Sequence, residues 1–185
     1  NSILLPFFLQ EILKYNALKT GLLILPYSVT LSVIAPICGR LSGKYGSRYL
    51  TLAGPVVFCT ALIMFTIYDK NVNMWQIILA SGIMGIGNGL FQSPSNNAIM
   101  TSVQKNEVGI ASGILALSRN MGNILGVAVT ITLFETFKNL FIESGKLYNL
   151  AFLYAYRTTM CFGILFGLIC LTFAYIAYKP HKTTH

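Results

Sequence analysis

Charge is what this sequence has least of. Only 10% of its 185 residues are Asp, Glu, Lys or Arg, against 55% that are hydrophobic, and just 5 are acidic. A soluble domain carries about 25% charged residues. The chain therefore lacks the polar surface to face water on every side, and its broad class is integral membrane protein. Its acids, Glu11, Asp69, Glu107, Glu135 and Glu143, stand at the edges of apolar runs, not inside them. Histidine is almost missing: His181 and His185 occur only in the polar end KPHKTTH, where they are expected to be solvated. Cys38, Cys59, Cys161 and Cys170 fall in apolar runs, with no CxxC pair and no His nearby. They are expected to pack as small apolar residues, without a disulfide or a metal. A membrane-embedded enzyme would need clustered His, Asp or Cys near an interface. The runs contain no such cluster, so no enzyme, metal or cofactor is expected.

What charge there is has a net value of +8. The Lys and Arg are scattered between apolar runs and do not gather on one element. Basic loops beside membrane helices meet headgroups and set topology, so the expected partner is the lipid bilayer and not nucleic acid. The segment GIMGIGNG, residues 82–89, superficially resembles a nucleotide-binding glycine fingerprint, but that motif needs a preceding strand and a βαβ setting. Here it lies inside an apolar run, which excludes that reading.

Long apolar runs, the fourth broken only by Arg119, mark five complete spans, expected near residues 20–39, 49–68, 74–96, 108–134 and 157–178. The first apolar run, ILLPFFLQ, is too short for a bilayer core of about 30 Å, which needs roughly 20 residues. It shows neither the basic start nor the cleavage site of a signal peptide. The residues around 3–13 are read as the second part of a cut membrane helix, and the chain as a fragment of a longer protein. The fold class is all-α, a membrane helical bundle of one partial and five complete helices. Between 134 and 154 the segment FETFKNLFIESGKLYNLAFLY mixes apolar residues with charges. This suits an amphipathic helix on the membrane surface, with a polar loop as the alternative.

Assigning loops alternately to the two sides gives equal numbers of Lys and Arg on each. The densest short cluster, GRLSGKYGSR, points to a cytoplasmic loop, which places EILKYNALK outside and the C-terminal tail in the cytoplasm.

Two spans carry polar stripes. Gly82, Gly85, Gly89, Gln92 and Asn96 follow helical spacing along one face of the third. Ser112, Ala116, Arg119, Asn123, Gly126 and Thr130 do the same on the fourth, while Ile114, Leu117, Met121, Ile124 and Leu125 share its other side. Small residues allow close helix packing, and Gly122-x-x-x-Gly126 has a favourable spacing for it. Packing accounts for Gly82, Gly85, Gly89, Gly122 and Gly126, but not for Arg119. A charge at bilayer depth is costly and commonly faces a bundle interior or a water-filled cavity. Arg119, Asn120, Asn123, Gln92 and Asn96 are the candidate cavity or gating residues. The structural alternative is an Arg119 that ties helices together through carbonyl groups or an acid outside the chain. Pro26, Pro36, Pro55 and Pro94 are expected to kink their helices and free backbone carbonyls.

The segments LLPFFLQEILKYNALKTGLLILP, GRLSGKYGSR, SPSNNAIMTSV and ASGILALSRNMGNILGVAV, in that order, resemble the C-terminal half of a major facilitator superfamily transporter. The group they are most similar to is the fourteen-helix drug:proton antiporters. Within GRLSGKYGSR, Gly39, Leu41, Lys44, Gly46 and Arg48 match the superfamily's cytoplasmic signature loop, while Gly43 replaces its acid and Val108 replaces the arginine of a second motif. The resemblance implies two half-bundles that rock about a central cavity with sites near the midplane. It implies a small-molecule substrate and protons as partners, with coupling carboxylates in the missing N-terminal half. It further implies a multi-pass protein of the cell membrane that exports small amphipathic compounds. Arg119 lies about 16 Å along its helix from the expected cytoplasmic end, at 1.5 Å per residue, near such a midplane. The alternative is a non-transporting accessory or truncated protein of the same fold.

Overall fold

The computed structural model describes residues 3–69 and 72–177. Lys70 and the whole of KPHKTTH, with His181 and His185 and the expected cytoplasmic tail, lie outside the described residues. Six helices follow one another: α1 Leu4–Glu11, α2 Ala17–Tyr45, α3 Ser47–Thr66, α4 Met74–Ser102, α5 Val108–Glu143 and α6 Tyr148–Ala177. There is no strand among the described residues. The five helices after α1 are long and apolar enough to cross a membrane. The chain is an all-α helical bundle.

Local chemistry sets the helix starts. Asn16 caps α2, its side chain accepting from the Lys19 N–H at 2.9 Å. Before α4, Asn73 and Gln76 form a capping box, with the Asn73 N–H donating to Gln76 Oε1 at 3.1 Å. Each cap satisfies N–H groups that a helix start leaves without partners. Pro26, Pro36, Pro55 and Pro94 all lie within helices that continue past them.

The helices outrun the apolar stretches that announced them. The third continues beyond residue 96 to Ser102, and α2 extends the 20–39 stretch at both ends. The largest difference concerns residues 134–154. No separate surface helix exists there. α5 carries on to Glu143, α6 begins at Tyr148, and a four-residue turn with Gly145 at φ 81° joins them. The reason is visible in the aromatics. Phe134, Phe137 and Phe141 recur at helical spacing and meet α6, on Phe152 at 4.9 Å, Phe162 at 5.7 Å and Tyr154 at 5.6 Å between ring centroids. The amphipathic pattern is present, but its partner is a neighbouring helix and not a headgroup layer. Glu135 consequently lies within α5, paired to Lys138 at 2.6 Å. It stands about 40 Å from the start of α5 at 1.5 Å per residue, so α5 is longer than the roughly 30 Å thickness of a hydrocarbon core.

In packing order the bundle runs α2, α4, α3, α6, α5, and α5 touches α4 only lightly. The tight core sits at the end that carries the α1–α2, α3–α4 and α5–α6 connections. There Phe8 stacks on Tyr156 at 4.8 Å and Phe65 meets Tyr68 edge-on at 5.2 Å. Leu4, Leu9, Ile77 and Ala155 fill the space around them. Arg157 belongs to this end. It is well inside α6, and its Nε and Nη2 donate to the Tyr68 carbonyl at 3.3 and 3.1 Å. It thereby caps the chain leaving α3.

Candidate functional site

α5 is the least covered helix: Phe134 is its one buried residue among those described. Both sides stand open: Leu117 at 65% and Ile124 at 69% exposure on the apolar side, and Arg119 and Asn123, also exposed, on the polar side. Its polar stripe reaches α4 at Arg119. Arg119 Nη2 donates to Asn96 Oδ1 at 3.1 Å, which joins two members of the candidate set. Gln92 lies one turn before Asn96 on α4, half-buried. Asn123 lies one turn beyond Arg119, about 6 Å along the axis. It borders a cavity of about 620 Å³ that is also lined by Tyr27, Phe58, Val127 and Thr130. Asn120 is exposed on an adjoining face.

The Asn88 side chain donates to the Tyr27 hydroxyl at 2.6 Å, a bond from α4 to α2 on the cavity's edge. Sequence reasoning passed over both residues, because Tyr27 sits beside a proline in an apolar run and Asn88 falls off the counted stripe. A second such bond, from Asn97 to Ser42 Oγ at 3.1 Å, links the same helices nearer the α2–α3 junction.

The glycines divide into two groups. On α4, Gly82, Gly85 and Gly89 face α2. A Cβ at Gly85 would fall on the Thr30 hydroxyl and the Tyr27 carbonyl, and one at Gly89 would lie 3.0 Å from Ile34. Thr30 Oγ1 itself stands within 3.1 Å of the Pro26, Tyr27 and Gly82 carbonyls and can donate to one of them at a time. A second seam, unread in the sequence, joins α3 to α4. A Cβ at Gly54 would come within 2.7 Å of Phe91, and one at Gly87 within 2.6 Å of the Phe58 N. Gly122 and Gly126 behave differently from expectation. Nothing lies within 4 Å of a Cβ at either position, because α5 stands away from α2 and α4 there. Their spacing is right for packing, but among the described residues no helix comes within 4 Å of a Cβ at either.

The segment GRLSGKYGSR is not an extended loop. Gly39, Leu41 and Lys44 belong to α2 and Arg48 to α3, with Gly46 alone as the junction at φ 85°, ψ 150°. Only glycine occupies that region readily, so one residue reverses the chain. Gly39 acts in packing: a Cβ there would lie 2.9 Å from Ser93 Oγ. Among the described residues no group of three His, Cys, Asp or Glu is placed to hold a metal.

Five long apolar helices and a small-residue seam are a membrane architecture, and comparison with known proteins decides its family. Residues 1–185 match the Major Facilitator Superfamily model. The chain belongs to the major facilitator superfamily. It is a multi-pass membrane protein of a transporter family, whose members move solutes and are not enzymes. The multidrug resistance protein Stp of Mycobacterium tuberculosis is 34% identical over 122 residues, 66% of this chain and 22% of Stp. The riboflavin transporter RibZ of Clostridioides difficile is 28% identical over 177 residues, 93% of this chain and 38% of RibZ. The lincomycin resistance protein LmrB of Listeria monocytogenes is 27% identical over 144 residues, 78% of this chain and 31% of LmrB. The chain thus spans roughly a fifth to two fifths of the length of these superfamily relatives.

Proposed function

We propose that this chain forms one half-bundle of a secondary exporter that moves small amphipathic compounds out of the cell in exchange for protons. The observation that carries the reading is the Arg119–Asn96 bond, which sets a cation on the open polar face of α5. A charge in a membrane helix is retained where it faces a cavity or a partner. The uncovered sides of α5 are what a second half-bundle would meet as the two rock about a midplane site. Gly122 and Gly126, open here, would let that partner approach closely. The relatives named for multidrug and lincomycin resistance support export of drug-like compounds, while the one named for riboflavin keeps the substrate range wide.

In this mechanism Arg119 orients polar groups of the cavity, or pairs in one state with an acid of the second half-bundle. The proton-carrying carboxylates lie in that other half. The GRLSGKYGSR junction and the C-terminal tail face the cytoplasm, and Lys44 and Arg48 meet carbonyl ends or anionic headgroups there.

The test is efflux of a fluorescent cation from cells that make the whole transporter, with and without an uncoupler. Wild-type efflux that stops with the uncoupler, and falls in Arg119→Ala, supports the reading. Efflux indifferent to the uncoupler removes proton coupling. No efflux over a broad panel of cations removes the exporter.

A further inference from the structure

We infer that Tyr27 is a specificity-determining residue of the cavity, presenting a hydrogen-bond donor that selects compounds carrying an oxygen acceptor. The inference rests on the exporter reading and gives it a substrate class. Tyr27, Phe58, Val127 and Ile3 supply most of the cavity's apolar lining, and Asn123 and Thr130 add polar groups. No Asp, Glu, Lys or Arg borders it among the described residues. This half-bundle therefore offers an organic cation no counter-charge in the cavity, and discrimination falls to hydrogen bonds and ring faces.

Tyr27 is set for one role in that respect. A phenol can donate one hydrogen bond and accept others. Here Asn88 Nδ2 donates to the hydroxyl oxygen at 2.6 Å, so the oxygen is engaged as an acceptor and the phenolic hydrogen is left to donate. Asn88 is the positioning residue. It stands on α4 between Gly85 and Gly89, the glycines that bring α4 against α2. The close approach of the two helices is thus what puts the amide within reach of the ring. Phe58 gives the cavity a second aromatic face. The ligand that fits is flat or bulky and apolar, with a carbonyl or ether oxygen at its edge. A site built to donate to such an oxygen discriminates against analogues that lack it.

The experiment measures binding of two lipophilic cations to the purified whole transporter. Rhodamine 6G carries an ester carbonyl, whereas tetraphenylphosphonium has no hydrogen-bonding atom. Tyr27→Phe keeps the ring and removes the hydroxyl, and with it both the donor and the bond from Asn88. It is expected to weaken rhodamine 6G about tenfold, the upper end for one neutral hydrogen bond, and to leave tetraphenylphosphonium within about twofold of wild type, as expected for a ligand that makes no hydrogen bond to the hydroxyl. Unchanged phosphonium binding also reports an intact fold. An equal loss for both ligands, or no loss for either, overturns the inference while leaving the exporter reading in place. A wild type that binds neither ligand overturns both.

Discussion

The Arg119 guanidinium on α5 reaches Asn96 on α4, Nη2 to Oδ1 at 3.1 Å, at a place where the two helices otherwise barely meet. A long cationic side chain bridges a gap that smaller groups leave open. The bond lies one turn from the cavity at Asn123, so a change at Arg119 acts on the cavity wall without disturbing the distant core.

Arg119→Ala is expected to lower transport by the whole protein by about an order of magnitude, as for loss of one charge-assisted contact, while its membrane insertion and amount stay unchanged. Arg119→Lys should restore little, because a point charge does not replace a planar fork. Dye efflux normalised to protein in isolated membranes measures both. Normal efflux by the alanine variant would remove Arg119 from the working cavity.

Gly85→Ala should destabilise far more than Gly113→Ala. At Gly85 an added methyl collides with the Thr30 hydroxyl and the Tyr27 carbonyl, whereas at Gly113 it meets open space. Overpacking costs about 1–3 kcal/mol, and contact with backbone belongs at the upper end. Thermal unfolding in detergent of the two variants gives the comparison. Equal midpoints would show that α2 and α4 yield easily.

At Gly46, alanine and asparagine should be about equally harmful. Asparagine relieves a left-handed helical position, but φ 85°, ψ 150° lies outside that basin and costs about 1–3 kcal/mol for a residue with a Cβ. A Gly46→Asn variant as stable as wild type would mean that the junction adopts another conformation.

Arg157→Met should lower the unfolding midpoint, since the Tyr68 carbonyl loses both donors at 3.3 and 3.1 Å. Bonds from charged groups are worth about 1.5–3 kcal/mol. Arg157→Lys, with one ammonium for two donors, should fall between them. A methionine variant with an unchanged midpoint would indicate that water serves the carbonyl equally well.

Periodicity made much of this readable. The 3 and 4 spacing of Gly82, Gly85 and Gly89 placed them on one face, and they do face a helix. Arg119 and Asn96 were candidates because charge and amide interrupt apolar runs. Spacing names a face but not what covers it. Gly122 and Gly126 have the same pattern and open space beside them among the described residues, while Phe134, Phe137 and Phe141 read as a membrane-surface pattern and cover α6. Around Arg157 the charge-free run begins only at Thr158, yet α6 starts at Tyr148. The helix begins earlier, because backbone hydrogen bonding continues wherever a neighbouring helix gives it a surface. The Tyr27–Asn88 bond was beyond reach, since it depends on how closely α2 and α4 approach.

Most packed interfaces can drift over time, one side chain growing as its neighbour shrinks. The α3–α4 seam has no such freedom. Gly54 faces the backbone of Phe91 and the Gly87 carbonyl, and Gly87 faces the backbone of Phe58 and the Gly54 carbonyl. A backbone cannot be made smaller to admit a new methyl. Every substitution at these two positions adds atoms, so no compensating change is open to the partner helix. The pair is a dead end for sequence variation: neither position can change without moving the two helices apart.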